Sequence, residues 1–337
     1  MPVTPTQDHG PEPAPGPVRA PGPAPEVLCL GESMVLLTPP AARPLGTAHE
    51  LEVKVAGAES TVAQYLADLG HRAAWASRLG ADPLGEQVLA AVRAPGVDVS
   101  PVVRDPDAPT GVYFKDPGPH GTRVHYYRAG SAASRMTPDC LDSLPLASCR
   151  LVHVSGITPA LSPDCARTTA ALLRRAREAG VTSSFDVNYR PALWRTREEA
   201  AAVLLDLARQ ADVVFVGLDE AQDVWSAATH DEVRELLGGD GELVVKDAAH
   251  GATGYEAGAR EGVFVAAPRV EVVEPVGAGD AFAAGHLSAR LHGVPMAGRL
   301  ARGHRVAAFA LSSTEDHADA RSLRGELTGE APAEAAR

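Results

Sequence analysis

Short apolar runs alternate with segments of helical periodicity from Val27 onward, and this alternation constrains the fold more than any other feature of the chain. Buried strands are predicted over 27–31, 73–77, 151–155, 182–186, 213–216 and 242–246. Helices are predicted over 59–70, 82–94, 163–179, 198–210 and 219–225, with Asp82 as an N-cap. Strands that alternate with helices of this length favour a parallel sheet covered on both faces. The predicted class is therefore α/β, with a doubly wound, mostly parallel sheet.

Two stretches break this alternation. The segments at about 35–55 and 112–128 carry strand-like patterns with no helix between their strands. They predict a small accessory sheet that stands off the main one. Ligands of open α/β sheets bind beyond the carboxyl ends of the strands, so a small sheet over that edge would act as a lid that excludes water.

The composition bounds the class of protein. The 337 residues are 45% hydrophobic and 22% charged, as expected of one large globular domain with a small appendage. A net charge of -12 argues against nucleic acid or an anionic membrane as the main partner, and no apolar run has a membrane-spanning length. The cysteines lack C-x-x-C spacing and are predicted to be reduced thiols in a cytoplasmic protein: Cys29, Cys140, Cys149 and Cys165.

The two ends of the chain differ from the rest. Residues 1–25 are dominated by Pro, Ala and Gly and lack the apolar core of a signal peptide, so we expect a disordered tail outside the fold. Residues 329–337 are rich in Ala and Glu and are expected to fray. The predicted folded domain therefore spans 26–328.

The segment V-G-A-G-D-A-F-A-A-G-H, Val276 to His286, carries the strongest chemical signal. The backbone N–H groups of Gly277, Ala278 and Gly279 are predicted to lie at a helix N-terminus, which favours a phosphate. Asp280 lies in the first turn beside this anion hole and can serve as a base for an alcohol. A tight turn with a capping aspartate is the structural alternative for the same residues.

Polar residues elsewhere fit the same chemistry. Asp186, Asn188 and Glu220 follow strands at their carboxyl ends, where oxygen ligands suit a magnesium ion held mostly through water; helix capping is the alternative. Tyr126 and Arg128 lie two residues apart on a predicted lid strand and so share a face. An arginine fork matches a carboxylate, although a surface arginine beside a packing tyrosine has the same spacing.

These motifs, taken together, resemble the ribokinase-type PfkB family of sugar kinases from about residue 27 to 327. The landmarks are V-A-G-A-E-S-T-V-A and the complete G-A-G-D-A-F. Within the family the chain is most similar to the 2-keto-3-deoxygluconate kinases. Five pieces carry that similarity: C-L-G-E-S-M, P-T-G-V-Y-F, H-Y-Y-R-A-G-S-A-A-S, H-V-S-G-I-T-P-A-L-S and F-D-V-N-Y-R-P-A-L-W.

The resemblance implies a ribokinase-like fold and an ATP- and Mg²⁺-dependent kinase that converts 2-keto-3-deoxygluconate to its 6-phosphate. Asp280 would be the base and residues 277–279 the anion hole. Arg128 would take the sugar-acid carboxylate, and Arg190 would lie deeper, near the sugar or the transferring phosphate. As an arginine just before a proline, Arg190 could instead be a surface charge at a helix start. The other implied substrate contacts are Gly57, Thr61, Tyr113 and Tyr126. Lys246 and Gly251 would lie on the adenine side of ATP, although Lys246 could equally be a solvated strand end. Relatives often dimerise through the lid, so a homo-oligomer is expected.

Several positions depart from the family pattern: Ala56 for Gly, Thr61 for Asn, Gly217 for Asn, Asp247-Ala248 in the ATP loop, Glu274 for Asp, and Glu315-Asp316 for Gly-Asp. These changes leave alternatives open. The chain could phosphorylate fructose or a keto-deoxy-galactonate, or bind a sugar acid without turnover.

Overall fold

The computed structural model describes residues 24–40, 43–118, 121–273, 276–313 and 317–324. Its strands are β1 Val27–Leu30, β2 Met34–Thr38, β3 Glu52–Ala56, β4 Ala73–Ala76, β5 Arg78–Gly80, β6 Val103–Asp105, β7 Val112–Gly118, β8 Gly121–Tyr127, β9 Leu151–Ser155, β10 Thr182–Asp186, β11 Val213–Gly217, β12 Glu242–Asp247, β13 Gly251–Tyr255 and β14 Val263–Ala266. Its helices are α1 Ala58–Asp68, α2 Pro83–Arg93, α3 Ile157–Ala160, α4 Pro163–Glu178, α5 Arg197–Gln210, α6 Leu218–Trp225, α7 His230–Leu237, α8 Ala278–Leu291 and α9 Met296–Leu311. Both expected tails lie outside the described residues, apart from Ala24 and Pro25.

The main sheet has eight strands in the order β14-β13-β12-β11-β10-β9-β1-β4. The pairings from β4 to β12 are all parallel, as the alternation predicts. At one edge β13 and β14 add antiparallel to β12, a feature that the sequence analysis missed. The mostly parallel, doubly wound class is confirmed.

The core lies on both faces of this sheet because successive side chains of a strand point to opposite faces. Val27 and Cys29 of β1 join the hydrophobic cluster formed with α1, α2, α8 and α9. Leu28 and Leu30 of the same strand join a second cluster on the other face with α4 and α5. Both faces of the sheet are therefore buried, which explains why strands such as β1 and β11 are continuous apolar runs rather than alternating ones.

The lid is a separate four-stranded sheet with the order β3-β2-β7-β8, which confirms the predicted accessory sheet. Tyr113 of β7 pairs with Tyr126 of β8 in an antiparallel register. Every residue of β8 is exposed, whereas Leu36 and Tyr113 of the two central strands are buried. A further small pair, β5 with β6, was not predicted.

Local details agree with other sequence-based predictions. Asp82 caps α2, since its Oδ1 accepts a hydrogen bond from the Gly85 N–H at 2.7 Å. The four cysteines are free thiols. Among the helices of the described residues, none has the length and apolar character needed to cross a membrane.

A buried ion network joins β12 to α8 and α9. Glu242 accepts hydrogen bonds from His286 at 2.6 Å, Arg290 at 3.0 Å and Arg299 at 2.9 Å. Burial alone would raise the pKa of Glu242, but the His286 hydrogen bond and the charges of His286, Arg299 and Arg290 lower it to about 2. The network therefore fixes α8, the helix that begins at the predicted anion hole, against the central sheet.

Glu242→Gln is expected to destabilise the fold by about 3 kcal/mol at pH 7, because it leaves buried cationic partners without their counter-ion. The depressed pKa means that the stabilisation is present above the ordinary value of 4.5 and is lost as the pH falls toward about 2. Thermal melts should therefore show a deficit at pH 7 that shrinks through this range. Glu178→Gln, which removes an exposed pair with Arg174, is the control and should cost under about 1 kcal/mol. An equal deficit at pH 7 and pH 3 would contradict the assignment.

Candidate active site

The candidate site lies at the carboxyl edge of the parallel strands. Gly31 follows β1 there, and Ser155, Asp186 and Asp247 end β9, β10 and β12. The chain leaves β1 toward β4 on one side and β9 lies on the other side, so the winding direction reverses at β1. Such a reversal opens the crevice in which α/β proteins bind ligands.

The N-terminus of α8 reaches this edge. Gly277 is its N-cap and has φ 82°, in the left-handed region that favours glycine. The helix hydrogen bonds begin with the Ala281 N–H on the Gly277 carbonyl, so the preceding N–H groups have no partner within the helix. The predicted anion hole, Gly277, Ala278 and Gly279, therefore lies at the positive end of a 14-residue helix.

Asp280 lies in the first turn of α8, as the sequence predicts, and its side chain is partly accessible within the crevice. Burial and then the negative charge of Asp186 raise the pKa of Asp280 well above its ordinary value, while Lys246 and Arg190 oppose the shift. A carboxyl group with a raised pKa is a stronger proton acceptor than an ordinary surface aspartate, which suits a general base.

Lys246 lies beside Asp186 and the first turn of α8. Its Nζ donates to Asp186 Oδ2 at 2.8 Å, and it lies 3.5 Å from the place where a Cβ on Gly279 would be. Burial would lower the pKa of Lys246, but the charges of Asp186 and Glu220 raise it. The side chain therefore lies beneath the first turn of α8, and the adenine-side contact implied by the resemblance stays a prediction.

The three predicted magnesium ligands are only partly available. Glu220 Oε2 accepts from the Gly217 N–H at 2.9 Å, so this carboxylate caps its own helix. Asp186 Oδ1 and Asn188 Oδ1, however, are buried oxygens without a hydrogen-bond partner. In the described part of the chain, no three acidic, His or Cys side chains form a metal cluster by themselves. Two free oxygens nevertheless fit Mg²⁺, which uses few carboxylates and takes its other ligands from phosphates and water.

Arg128 follows β8 and forms a buried ion pair that the sequence analysis missed. Its Nη2 donates to Glu32 Oε2, while Ser131 Oγ donates to Glu32 Oε1 at 2.7 Å. The Arg128 Nε–H is buried without an acceptor. Glu32 was part of the C-L-G-E-S-M motif, but nothing in the sequence indicated its partner, because 96 residues separate the two.

The structure brings Tyr113, Tyr126 and Arg128 together on one lid face. The two tyrosine rings lie 5.6 Å apart, and the Arg128 guanidinium carbon lies 5.4 Å from the centre of the Tyr126 ring. Period-2 alternation thus does place residues 126 and 128 on the same side. Tyr126 is 40% exposed, whereas Arg128 is only 9% exposed. The alternative of a surface arginine is therefore excluded by its burial.

Glu59 is a site residue that the sequence analysis did not single out. Its Oε1 accepts three hydrogen bonds, from the Ser155 N–H and from the hydroxyls of Ser155 and Thr158, at 2.8 to 3.0 Å. Burial raises the pKa of Glu59, and these hydrogen bonds oppose the shift. Gly31 must be glycine because a Cβ there would lie 2.1 Å from Glu59 Cδ. An acid in the first turn of the first helix after the lid hairpin was the available signal.

The remaining predicted residues differ in their setting. Gly57 allows close approach, since a Cβ there would lie 2.3 Å from Ser33 Oγ. Thr61 is almost fully buried in α1. Arg190 does not lie deep: its side chain is 51% exposed and pairs with Glu220 at 3.4 Å, although its charge acts on Asp280. Gly251 begins β13, where a Cβ would meet the β14 backbone at Val265, so it has a structural reason beside the predicted ATP contact.

Comparison with known proteins identifies the family. The family model of the pfkB family carbohydrate kinases matches residues 24–322. The chain belongs to the PfkB family of carbohydrate kinases. The departures from the family pattern at Glu274 and at 315–316 lie outside the described residues.

Individual relatives agree with this assignment. A 2-dehydro-3-deoxygalactonokinase of Haloferax volcanii is 37% identical over 300 residues, or 84% of this chain and 90% of its own length. A 2-dehydro-3-deoxygluconokinase of Bacillus subtilis is 36% identical over 299 residues, or 86% and 91%. The crystal structure of a PfkB protein from Polaromonas sp. JS666 superposes with a TM-score of 0.79 at 37% identity and covers 90% of this chain and 99% of that one.

Asp280→Asn is expected to lower kcat by about 10²–10⁴-fold, because the amide keeps the shape of the side chain but cannot accept the proton. The melting temperature at pH 7 should be unchanged or higher, since a carboxyl group with a raised pKa costs stability when it is ionised. A coupled ADP-release assay and a thermal melt measure the two effects. Asp206→Asn, an exposed change on α5, is the control. A kcat within a few fold of the parent would overturn the role of Asp280.

Proposed function

We propose that this PfkB-family kinase uses ATP to phosphorylate the primary hydroxyl of a sugar acid, most favourably 2-keto-3-deoxygluconate, at its 6-position. The observation that carries the proposal is that the site has two parts of different chemistry, which we call its poles. A helix N-terminus with a base, Asp280, forms one pole, and a buried arginine with an unused N–H, Arg128, forms the other. The first suits phosphoryl transfer and the second suits recognition of a carboxylate.

The chemistry follows from these residues. The sugar hydroxyl oxygen forms a new bond to the γ-phosphorus while the bond from that phosphorus to the β-phosphate oxygen breaks, and its electron pair leaves on ADP. The hydroxyl proton passes to Asp280. The N–H groups of residues 277–279 stabilise the charge on the transferring phosphoryl oxygens. The lid sheet covers the crevice and excludes water, which would otherwise compete with the sugar as acceptor.

Mg²⁺ is the divalent cation that we expect to accompany ATP. Asp186 and Asn188 would hold it through their unpartnered oxygens, with Glu220 at one remove through water. The cation would offset charge on the nucleotide phosphates and set their orientation. The chain's own residues retain the other tasks: Asp280 accepts the proton, and residues 277–279 hold the phosphoryl group.

The names of the relatives favour a 2-keto-3-deoxy sugar acid over a neutral sugar as the substrate, but two epimers of that acid remain candidates. One relative is named for the galactonate epimer at 37% identity and the other for the gluconate at 36%. Keto-deoxy-galactonate is therefore the second candidate substrate. A coupled assay over both epimers, fructose and other neutral sugars decides among them. A lack of turnover with every sugar would instead favour a binding protein without catalysis.

The lid supports a further part of the proposal, a homo-oligomer formed through its exposed apolar surface. Val53 is 53% exposed and Tyr127 is 68% exposed. The register places both on the lid face opposite Tyr113 and Tyr126. Burying them against a second copy removes apolar area from water. The cytoplasmic location and the absence of nucleic-acid partners remain predictions from the sequence.

Arg128→Leu is expected to raise KM for 2-keto-3-deoxygluconate at least about tenfold, since a charge-assisted hydrogen bond of roughly 1.5–3 kcal/mol is lost. KM for a neutral ketose should change much less. Lys at this position should restore only part of the affinity, because it keeps the charge but not the fork. Steady-state kinetics with both substrates measure the difference.

The Glu32 pairing requires a control for this experiment, because Arg128→Leu leaves a buried carboxylate unpaired and destabilises the lid. The double variant Glu32→Gln with Arg128→Leu removes both charges and should recover stability without recovering affinity for the acid. Equal losses for acidic and neutral sugars in the double variant would mean that Arg128 holds the lid rather than the substrate.

Val53→Lys with Tyr127→Lys is expected to shift the protein from an oligomer to a monomer at micromolar concentration, because like charges would face each other across the contact. Sedimentation velocity measures the change, and an unaltered melting profile of the lid variant shows that the sheet is intact. A parent protein that sediments as a monomer at the same concentration would refute the lid contact.

A further inference from the structure

The position of Lys246 separates it from an ordinary nucleotide-binding lysine. Its ammonium lies beneath Gly279 in the first turn of α8 and is hydrogen-bonded to Asp186. The side chain is only 19% exposed. It therefore points into the crevice in which phosphoryl transfer is proposed, on the side of the base, rather than into the loop that follows β12.

Among the described residues, the charged side chains around Lys246 are acidic apart from Arg190. The carboxylates of Asp186, Glu220 and Asp280 all act on Lys246. Three carboxylates around one phosphate-binding turn would repel ATP unless a cation offsets them. Arg190 pairs with Glu220 at 3.4 Å and is half exposed, so Lys246 is the sequestered cation nearest the anion hole among the residues described.

Composition strengthens the case for a specific ammonium. Only three of the 31 Lys and Arg residues are lysines, and the other two, Lys54 and Lys115, lie on lid strands. A chain that otherwise uses arginine so consistently places its one interior lysine at this point. A lysine is a compact point charge with three donors, and the bond to Asp186 uses one of them. Two donors remain for an anion in the crevice.

We propose that Lys246 binds the γ-phosphoryl group of ATP and stabilises it during transfer, as a catalytic residue rather than an adenine contact. The inference rests on the proposed function in taking ATP as the donor. As the β–γ phosphate bond breaks and the sugar oxygen bonds to phosphorus, the hydroxyl proton goes to Asp280. Lys246 remains protonated and stays in contact with the phosphoryl group during the transfer. Its hydrogen bond to Asp186 orients the ammonium group.

The test compares the affinities of the parent and Lys246→Met for ATP and ADP by titration calorimetry without sugar. Loss of a charge-assisted bond to the γ-phosphate should weaken ATP binding by about tenfold to a hundredfold. ADP lacks that group, so its affinity should change by less than about threefold. In the coupled assay kcat should fall by about 10²-fold or more, with a smaller change in KM for the sugar.

Two further variants keep the result decisive. Lys246→Gln retains a donor for Asp186 and lacks the charge, so it should show the same selective loss of ATP affinity even if Lys246→Met does not fold. Arg174→Met removes an exposed cation from α4 and should leave both affinities unchanged. Equal weakening of ATP and ADP would overturn the proposal in favour of an adenine-side role, and unchanged affinity for both would also overturn it.

Failure of the proposed function is distinguishable from failure of this inference. A parent that binds neither nucleotide contradicts ATP as the donor. A parent that binds ATP but phosphorylates neither sugar acid contradicts the substrate, and the comparison of ATP with ADP still decides the role of Lys246, since it requires no sugar.

Discussion

The ion pair between Lys246 and Asp186 is the contact around which the site is organised. Parallel strands bring their carboxyl ends to one edge, and this edge collects acidic side chains from β10, α6 and α8: Asp186, Glu220 and Asp280. Charges of one sign in a poorly solvated crevice repel each other strongly, so the cluster requires an internal cation. Lys246 supplies it from the end of β12 at 2.8 Å from Asp186. Burial and then the negative charge of Asp186 raise the pKa of both Asp280 and Glu220, and the charge of Lys246 opposes each shift.

Carboxyl groups at the two ends of β12 have opposite effects on the stability of the fold. At the start of β12, Glu242 accepts hydrogen bonds from His286 and two arginines and its pKa falls to about 2, so it stabilises the folded state at neutral pH. At the site the carboxyl groups outnumber their partners and oppose folding when ionised. Glu242 holds α8 in place through His286, and α8 in turn holds Asp280 at the crevice. The ion network at the start of β12 thus offsets the electrostatic cost of the carboxyl groups at its end.

The architecture could be predicted from the sequence because it depends on periodicity. The runs that became β1, β4 and β11 are continuous and apolar, and helical segments separate the successive strands as a parallel sheet requires. The β13 strand escaped prediction because two glycines and an alanine make up three of the five residues of Gly251–Tyr255, which weakens its strand signal. Its place is set by tertiary pairing with β12 rather than by local propensity.

The chemistry of the site was predictable where a motif is local. Gly277 to Asp280 are adjacent, and a helix start fixes their relation. The partners of charged residues were not, because Glu32 meets Arg128 across 96 residues and Lys246 meets Asp186 across 60. Such pairs depend on which strand ends become neighbours in the fold, and the local sequence pattern does not indicate this. Sequence reasoning therefore found the candidate site residues but not the residues that hold them in place.

The lid pole of the site shows why this distinction matters for specificity. The guanidinium group of Arg128 is neither solvated nor unpaired, since its Nη2 donates to Glu32 and the side chain is buried. A substrate carboxylate that reaches Arg128 must share it with Glu32, so the attraction is that of one cation for two anions. A neutral sugar meets no such repulsion but leaves the buried Nε–H unsatisfied. Discrimination between acidic and neutral sugars therefore depends on two costs: the repulsion between Glu32 and the substrate carboxylate, and the unsatisfied Nε–H that a neutral sugar leaves. Glu32 sets the difference between them although it is not placed among the substrate contacts.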